Sequence, residues 1–519
     1  MRSIINQLQN YWNRHSHKPI IGKTIFIGLG ILTTIWFLIR VIPKPQRATY
    51  PCMKAAAPFM SGFVIYLLTL TGSIAAYRKA GLKFRQAKYI YASVFLLIAI
   101  AGSITFFVQN PGKILAGNAP AWAIKANEPM GTARGINPGR VVWVHDAKVS
   151  NWDGTTGFWW DDKYTSQTEA DKMMASTLTA LTGEKNLSKA WKKLFVYHNQ
   201  TKKGKSEGYQ GNQRIAVKIN ANNNSAQTNS NEINASPQVT LAMLRTLIKD
   251  ANVPQKNITV FDASRFITDN IYSKCHAEFP DVIFVDNVGG NGRVKSTYVD
   301  NAIPYSADNG KLARGLATCA VEADYLINVA LLKGHVGQGV TLCAKNYYGV
   351  TDINSDWRKN AHNNFDQDRQ GTPKYMTFVD YLGHKDLGEK TMLFLLDGLY
   401  GAKLVNGIPT PKWKMAPFNN QWPCSLFASQ DGVAIDAVGL DFLRSEWPEM
   451  ADIAFSDQYL IEAALASNPP SKTVYDPEKD GTKCSSLGVM EHWNNAVDKK
   501  YSKNLGSKNG IELIQNTIE

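Results

Sequence analysis

The first 110 residues hold thirteen Lys and Arg and no Asp or Glu, and three long apolar stretches divide them. These are Thr24–Val41 (interrupted only by Arg40), Ala57–Ala76 and Ile90–Val108, the last two free of charge. Each is near the roughly 20 residues needed to cross a bilayer. Such runs have few ways to hide from water, so they constrain the chain more than any other feature. The loop between the second and third, YRKAGLKFRQAKY, carries five basic residues and is expected on the cytoplasmic side. The N-terminal segment with Arg2, Arg14, Lys18 and Lys23 then lies inside as well. The loop with Lys44, Arg47 and Lys54 falls outside, which weakens the bias without reversing it. No small-residue cleavage site follows the first stretch, so it does not read as a signal peptide. Three crossings from a cytoplasmic N-terminus put everything after about residue 110 outside. That is the arrangement of a bacterial-type inner-membrane protein with a periplasmic domain and the lipid bilayer as partner.

This segment also explains the formal charge of +14. Of 57 Lys and Arg, 44 remain beyond residue 110, against 43 Asp and Glu. Such a balanced domain has no basic face to lay along a phosphate backbone, which excludes nucleic acid as a partner. None of the six cysteines (Cys52, Cys275, Cys319, Cys343, Cys424, Cys484) falls in a C-x-x-C pair, so neither a zinc ribbon nor a ferredoxin-type cluster is supported. An extracytoplasmic location permits one or two disulfides and leaves an odd thiol.

Residues 111–140 read as a linker or packing arm, rich in Gly, Pro and Ala. From 141 onward, strand-like and helix-like segments alternate. Strands are expected at 141–146, 215–219, 258–262, 282–286, 325–332 and 391–397. Helices are expected near 167–182, 237–251, 375–383 and 432–444. The expected fold class is α/β, a mostly parallel sheet flanked by helices, preceded by an N-terminal three-helix transmembrane segment.

The strand ends share a pattern. Tyr325–Leu332 is apolar without alternation, as in a strand covered on both faces. It runs into Lys333-Gly334-His335, and Gly337, Gly339, Lys345, Asn346 and Gly349 follow. Other strand ends offer His145 and Asp146, Lys218 and Asn220, Asp262, Asp286, and Asp397. Open α/β sheets bind ligands at the carboxyl ends of their strands, so convergence there suits an anionic ligand held by lysines. His335 is the group to transfer a proton, tuned by Lys345 or Asp262. Against this, an Asp at a strand end often caps the next helix, and Asp262-Ala263-Ser264 fits that role.

The glycine clusters at 289–292 and 337–339 lack the third glycine of a dinucleotide fingerprint. Asp476-Pro477-Glu478-Lys479-Asp480-Gly481 resembles the opening of a calcium loop, which makes Asp476, Glu478 and Asp480 candidate ligands of a divalent metal. Its twelfth position is Leu487 rather than Glu, and a type I turn explains it equally well. Glu491-His492-Trp493 suits a helix start or packing better than a metal pair.

Read in order, Val217-Lys218-Ile219-Asn220, Val260-Phe261-Asp262, Leu332-Lys333-Gly334-His335, Gly339-Val340-Thr341 to Lys345-Asn346, Leu396-Asp397-Gly398, and Ser429-Gln430-Asp431 with Ala434-Ile435-Asp436-Ala437 form a series. This series resembles the domain of unknown function 362 family, from about residue 140 to 515. Three departures leave every candidate reactive group in place. Gly334 stands between Lys and His where Thr is common, Ala221 and not Pro follows Asn220, and Gly432 replaces Pro. Some members of that family carry a ferredoxin-like cluster segment. This chain lacks the cysteines, so the resemblance implies no iron–sulfur centre. The tail from Ser486 resembles a subgroup seen with signal or membrane segments.

The leading expectation is an extracytoplasmic, enzyme-like domain for a small anionic or carbonyl-bearing ligand. Lys218, Lys333 and Lys345 hold its charge beside Asn220 and Asn346, and His335 serves as acid or base. Asp262, Asp397 and Asp436 orient the ligand, or coordinate a divalent metal together with His335. The alternative is a non-catalytic binding or assembly subunit of a membrane complex. A redox role for Cys319 or Cys343 is a third reading. The sequence names neither substrate nor protein partner.

Overall fold

The computed structural model describes residues 125–222, 226–307, 312–335, 339–352, 374–448 and 455–518, with a few isolated positions before residue 125. The chain divides into two compact units, 1–119 and 120–519, and all the elements below lie in the second.

Ten strands form one sheet: β1 (Arg140–His145), β2 (Ile215–Ile219), β3 (Ile258–Asp262), β4 (Ile283–Asp286), β5 (Val294–Lys295), β6 (Tyr325–His335), β7 (Gly339–Thr341), β8 (Thr391–Ala402), β9 (Ser425–Ser429) and β10 (Glu512–Thr517). Their order across the sheet is β10-β1-β9-β8-β6-β2-β3-β4-β5, with β7 folded back onto β6 as a hairpin. The β6–β7 hairpin is antiparallel, and every other neighbouring pair is parallel except those made by β9, which runs antiparallel to both β8 and β1. The sheet is therefore mixed. The periodicity that marks a buried strand says nothing about its direction, so β9 and the terminal β10 could not be placed from sequence.

Eight helices matter to the architecture: α1 (Gln167–Thr182), α2 (Leu187–Lys203), α3 (Pro237–Arg245), α4 (Asp269–Glu278), α5 (Cys343–Asn346), α6 (Thr377–Gly383), α7 (Gly432–Glu446) and α8 (Phe455–Ala464). The side chains of β6 divide between the two faces. Tyr325, Ile327, Val329 and Leu331 join a core with Met173, Trp191, Leu244 and Ile271 of α1–α4. Leu326, Ala330 and Leu332 join a second core with Val379, Val433, Leu440 and Leu460 of α6–α8. Two apolar layers around one sheet explain why β6 and β8 are buried along nearly their whole length. Local sequence starts the helices. Ser166, Asn186 and Ser236 each cap an N-terminus with a side-chain oxygen, Pro237 opens α3, and Gly183 and Gly204 close α1 and α2 in the left-handed conformation. The expected 237–251 helix is α3 followed by a π turn at Thr246–Asp250.

The expected membrane segment requires correction. Among the described residues no helix is long and apolar enough to cross a membrane, so a three-helix transmembrane segment is not seen. The stretches 24–41, 57–76 and 90–108 lie outside the described residues except at isolated positions. The longest described helices run 16 and 17 residues, short of the roughly 20 needed, and α2 carries five lysines. The five described cysteines are free thiols.

The C-terminal segment is fastened by buried charge. His492 Nδ1 lies 2.6 Å from Asp441 Oδ1 and its Nε2 lies 3.1 Å from Asp457 Oδ1. Arg444 forks onto Asp457 at 2.9 and 3.0 Å, while Trp493 N and Tyr501 Oη donate to Asp441. Burial pulls the imidazole down, yet the two carboxylates overcome it and carry His492 up to about 10. The folded protein thus prefers the charged ring, and the resulting stability is complete below about pH 6.5 and lost as pH rises toward 10. Thermal unfolding followed from pH 6 to 10 is expected to show a steadily falling Tm, with His492→Gln less stable throughout and flatter across that window. Parallel slopes for the two proteins would contradict this.

Candidate functional site

The site starts from an ammonium with no access to water. Lys218, next to last in β2, has no solvent exposure. Its Nζ donates to Ile219 O at 2.6 Å, Asn346 Oδ1 at 3.0 Å and Asp262 Oδ2 at 3.1 Å. Three protons meet three acceptors, which is the condition for keeping a buried cation. Burial lowers its pKa, and Asp262 opposes that. Asp262, at the end of β3, is saturated too. Oδ2 also accepts Ala221 N at 3.0 Å, and Oδ1 accepts Ser264 N and Oγ at 3.1 Å. The Asp-Ala-Ser segment is a local turn, since α4 begins only at Asp269. Gly349 completes the packing, because a Cβ there would meet Lys218 Nζ and Asp262 Oδ1 at 2.9 Å.

A line of side-chain amides runs from this pair across the sheet. Asn328 Nδ2 donates to Cys343 O at 3.0 Å, Asn346 Nδ2 donates to Asn328 Oδ1 at 2.8 Å, and Asn220 Nδ2 donates to Asn346 Oδ1 at 3.2 Å. Each amide fixes the orientation of the next. The last of them, Asn220, must therefore present its oxygen outward, and this Oδ1 is buried without a hydrogen-bond partner. Buried acceptors of this kind are uncommon and ask for a donor.

The other two lysines are less well satisfied. Lys333, fully buried near the end of β6, has one hydrogen bond, to Val405 O at 2.8 Å. Lys345, in α5, is partly exposed. It lies over the Tyr348 ring, 5.2 Å from its centroid, and makes no hydrogen bond or ion pair with described residues. Burial, then the charges of Lys345 and Arg265, push Lys333 far down. Burial and Arg265 take Lys345 to about 7. Thr341 stands directly across the hairpin from Lys333, hence on the same face, and its buried Oγ1 also lacks a partner.

Asp436 holds α5 in place. Its carboxylate accepts Cys343 N at 2.8 Å, Ala344 N at 2.9 Å and Tyr459 Oη at 3.0 Å, and burial raises it to about 7. Asp397 accepts Ser236 N at 2.9 Å and Leu399 N at 3.2 Å, and so anchors the start of α3. These two aspartates position backbone. His335 ends β6, paired in register with Gly339. Asp476, Glu478 and Asp480 sit apart in a turn, accepting Gly481 N, Lys385 N and Thr482 N respectively. Among the described residues no group of three or more His, Cys, Asp or Glu is arranged to hold a metal ion. Burial holds the thiols of Cys319 and Cys343 protonated, which disfavours thiolate chemistry. Sequence reasoning missed Arg265, Asn328 and Thr341. Asn328 interrupts an apolar strand, and that was the one readable signal.

A cavity of about 430 Å³ opens at the opposite, amino edge, lined by Arg134, Tyr197, Lys202, Glu389, Thr391 and Phe394 among others. Its carboxylate, Glu389, is already bridged by Arg134 and Lys202. The unpartnered Asn220 Oδ1 and Thr341 Oγ1 lie at the carboxyl edge instead.

The lysines differ in what their removal should do. Lys218→Met leaves Asp262 buried without its cation and is expected to cost roughly 3–5 kcal/mol of unfolding free energy. Lys345→Met removes an unpaired charge and is expected to stay within about 1 kcal/mol of the parent, or to stabilise. Denaturant unfolding of both variants decides this, and equal losses would contradict the assignment.

No curated protein and no solved structure matches the chain. Residues 215–441 match the model of a family described as "Domain of unknown function (DUF362)". The match is narrower than the motif series and includes Lys218, Asp262, Lys333, Lys345 and Asp436, while Asp476, Glu478 and Asp480 fall beyond it. A membrane-anchored subgroup is not confirmed. Over residues 215–441, then, the chain is similar to the DUF362 family, whose description assigns no reaction.

Proposed function

We propose that the carboxyl edge of the sheet is an enzyme-like binding site for a small molecule bearing a carboxylate or phosphate and a hydrogen-bond donor. The observation that carries this reading is the contrast among the lysines. Lys218 has every proton satisfied, Lys333 has one bond, and Lys345 has none among the described residues. Asp262 attracts Lys333 through its charge but gives neither of the latter two a hydrogen bond, because its oxygens are engaged elsewhere. An incoming anion would supply the missing acceptors and relieve the repulsion among Lys333, Lys345 and Arg265. Asn220 Oδ1 would accept from a hydroxyl or amine of the same ligand, and Thr341 Oγ1 would complete the contact. His335, two residues beyond Lys333, would carry protons. Residues 1–110 enter into none of this.

Calorimetric titration with inorganic phosphate, and with a small carboxylate, tests the reading. One of them is expected to bind the parent protein, with Lys333→Met and Lys345→Met each weakening binding at least tenfold, or about 1.4 kcal/mol. Absence of binding, or equal affinity in the parent and both variants, would overturn it.

A further inference from the structure

We propose that Lys345 is a covalent nucleophile toward an aldehyde or ketone that also carries an anionic group, and forms an imine with it at this site. The inference rests on the anion-binding reading and names the substrate class. Its geometric basis is the way α5 is held. Asp436 fixes the backbone of Cys343 and Ala344, and Asn346 is locked into the amide line through Asn328 and Lys218. Lys345 lies between these anchors, so its Cα is fixed, while its amine lies over the Tyr348 ring and makes no hydrogen bond with described residues. The chain is partly exposed and therefore reachable from solvent.

An ammonium with no hydrogen-bond acceptor among the described residues, and with the Arg265 charge acting on it, gains little from its proton. Burial and Arg265 bring Lys345 to about 7, so a substantial fraction is free amine near neutrality. A cationic neighbour is a known means of activating a lysine amine in this way. Lys333 would hold the anionic group of the substrate. The amine lone pair attacks the carbonyl carbon and a C–N bond forms. The carbonyl π pair moves to oxygen, which takes a proton, giving a carbinolamine. Loss of the hydroxyl with one nitrogen-bound proton releases water and leaves C=N. No oxidant or reductant is needed. Asn220 Oδ1 and Thr341 Oγ1 are the buried atoms suited to receive the hydroxyl and the departing water.

Pyridoxal 5′-phosphate, an anionic aldehyde, serves as the probe. The full chain is incubated with it, reduced with borohydride and mapped by peptide mass spectrometry. Lys345 is expected to label at least tenfold faster than the median lysine, to be protected by excess inorganic phosphate, and to lose its label in Lys345→Arg, with circular dichroism confirming the fold. Labelling spread evenly over surface lysines would overturn the inference. If phosphate binds as described above while Lys345 stays unlabelled, the covalent role falls and the anion site stands. If phosphate also fails to bind, both fall.

Discussion

The structure at the carboxyl edge depends on one buried ion pair, Lys218 with Asp262. Neither side chain reaches water, and a pair in that position is stable only when every remaining proton and lone pair is met. That requirement organises the surroundings. Ile219 O, Asn346 and the Ala221–Ser264 backbone and hydroxyl donors are all drawn into place, and Gly349 leaves out a side chain so that both charges fit beneath it. One ion pair thereby ties β2, β3 and α5 together at the point where the sheet's two central parallel neighbours end.

The consequence for function is a division of labour among groups of the same type. Because Asp262 is fully engaged, Lys333 and Lys345 farther along the edge form no ion pair with a carboxylate among the described residues. Because the amide line has a fixed polarity, its last oxygen is left buried without a donor. Both deficits lie at the same edge, and both follow from satisfying Lys218 first. Structural stability and an unmet demand for a ligand are thus two results of one arrangement.

Much of this was legible in the chain. The apolar runs ending in Lys218, Asp262 and Lys333 became β2, β3 and β6, and their strand ends do converge. What sequence could not resolve was role. Lys218 and Lys333 both close apolar strands, yet the first is satisfied within the protein and the second is not, because that depends on Asn346, which is 128 residues from Lys218. Asp397 and Asp436 carry the residue type of a ligand but hold backbone N–H groups at helix starts, a use that only spatial neighbours disclose. The antiparallel β9 was missed because burial on both faces erases directional pattern. His492 lies between two aspartates contributed by α7 and α8, and no local motif announces that. The apolar stretches before residue 110 were read as membrane-crossing, and the described part of the structure contains no such helix.

The most direct test of the central claim, that Lys333 and Lys345 lack acceptors an anion can supply, is a crystal structure of the protein soaked with selenate and phased on selenium. The account predicts an anomalous peak within hydrogen-bond distance of both Nζ atoms, with Lys218 still bound to Ile219 O, Asp262 and Asn346. No peak there, with both amines hydrogen-bonded to protein atoms instead, would contradict it.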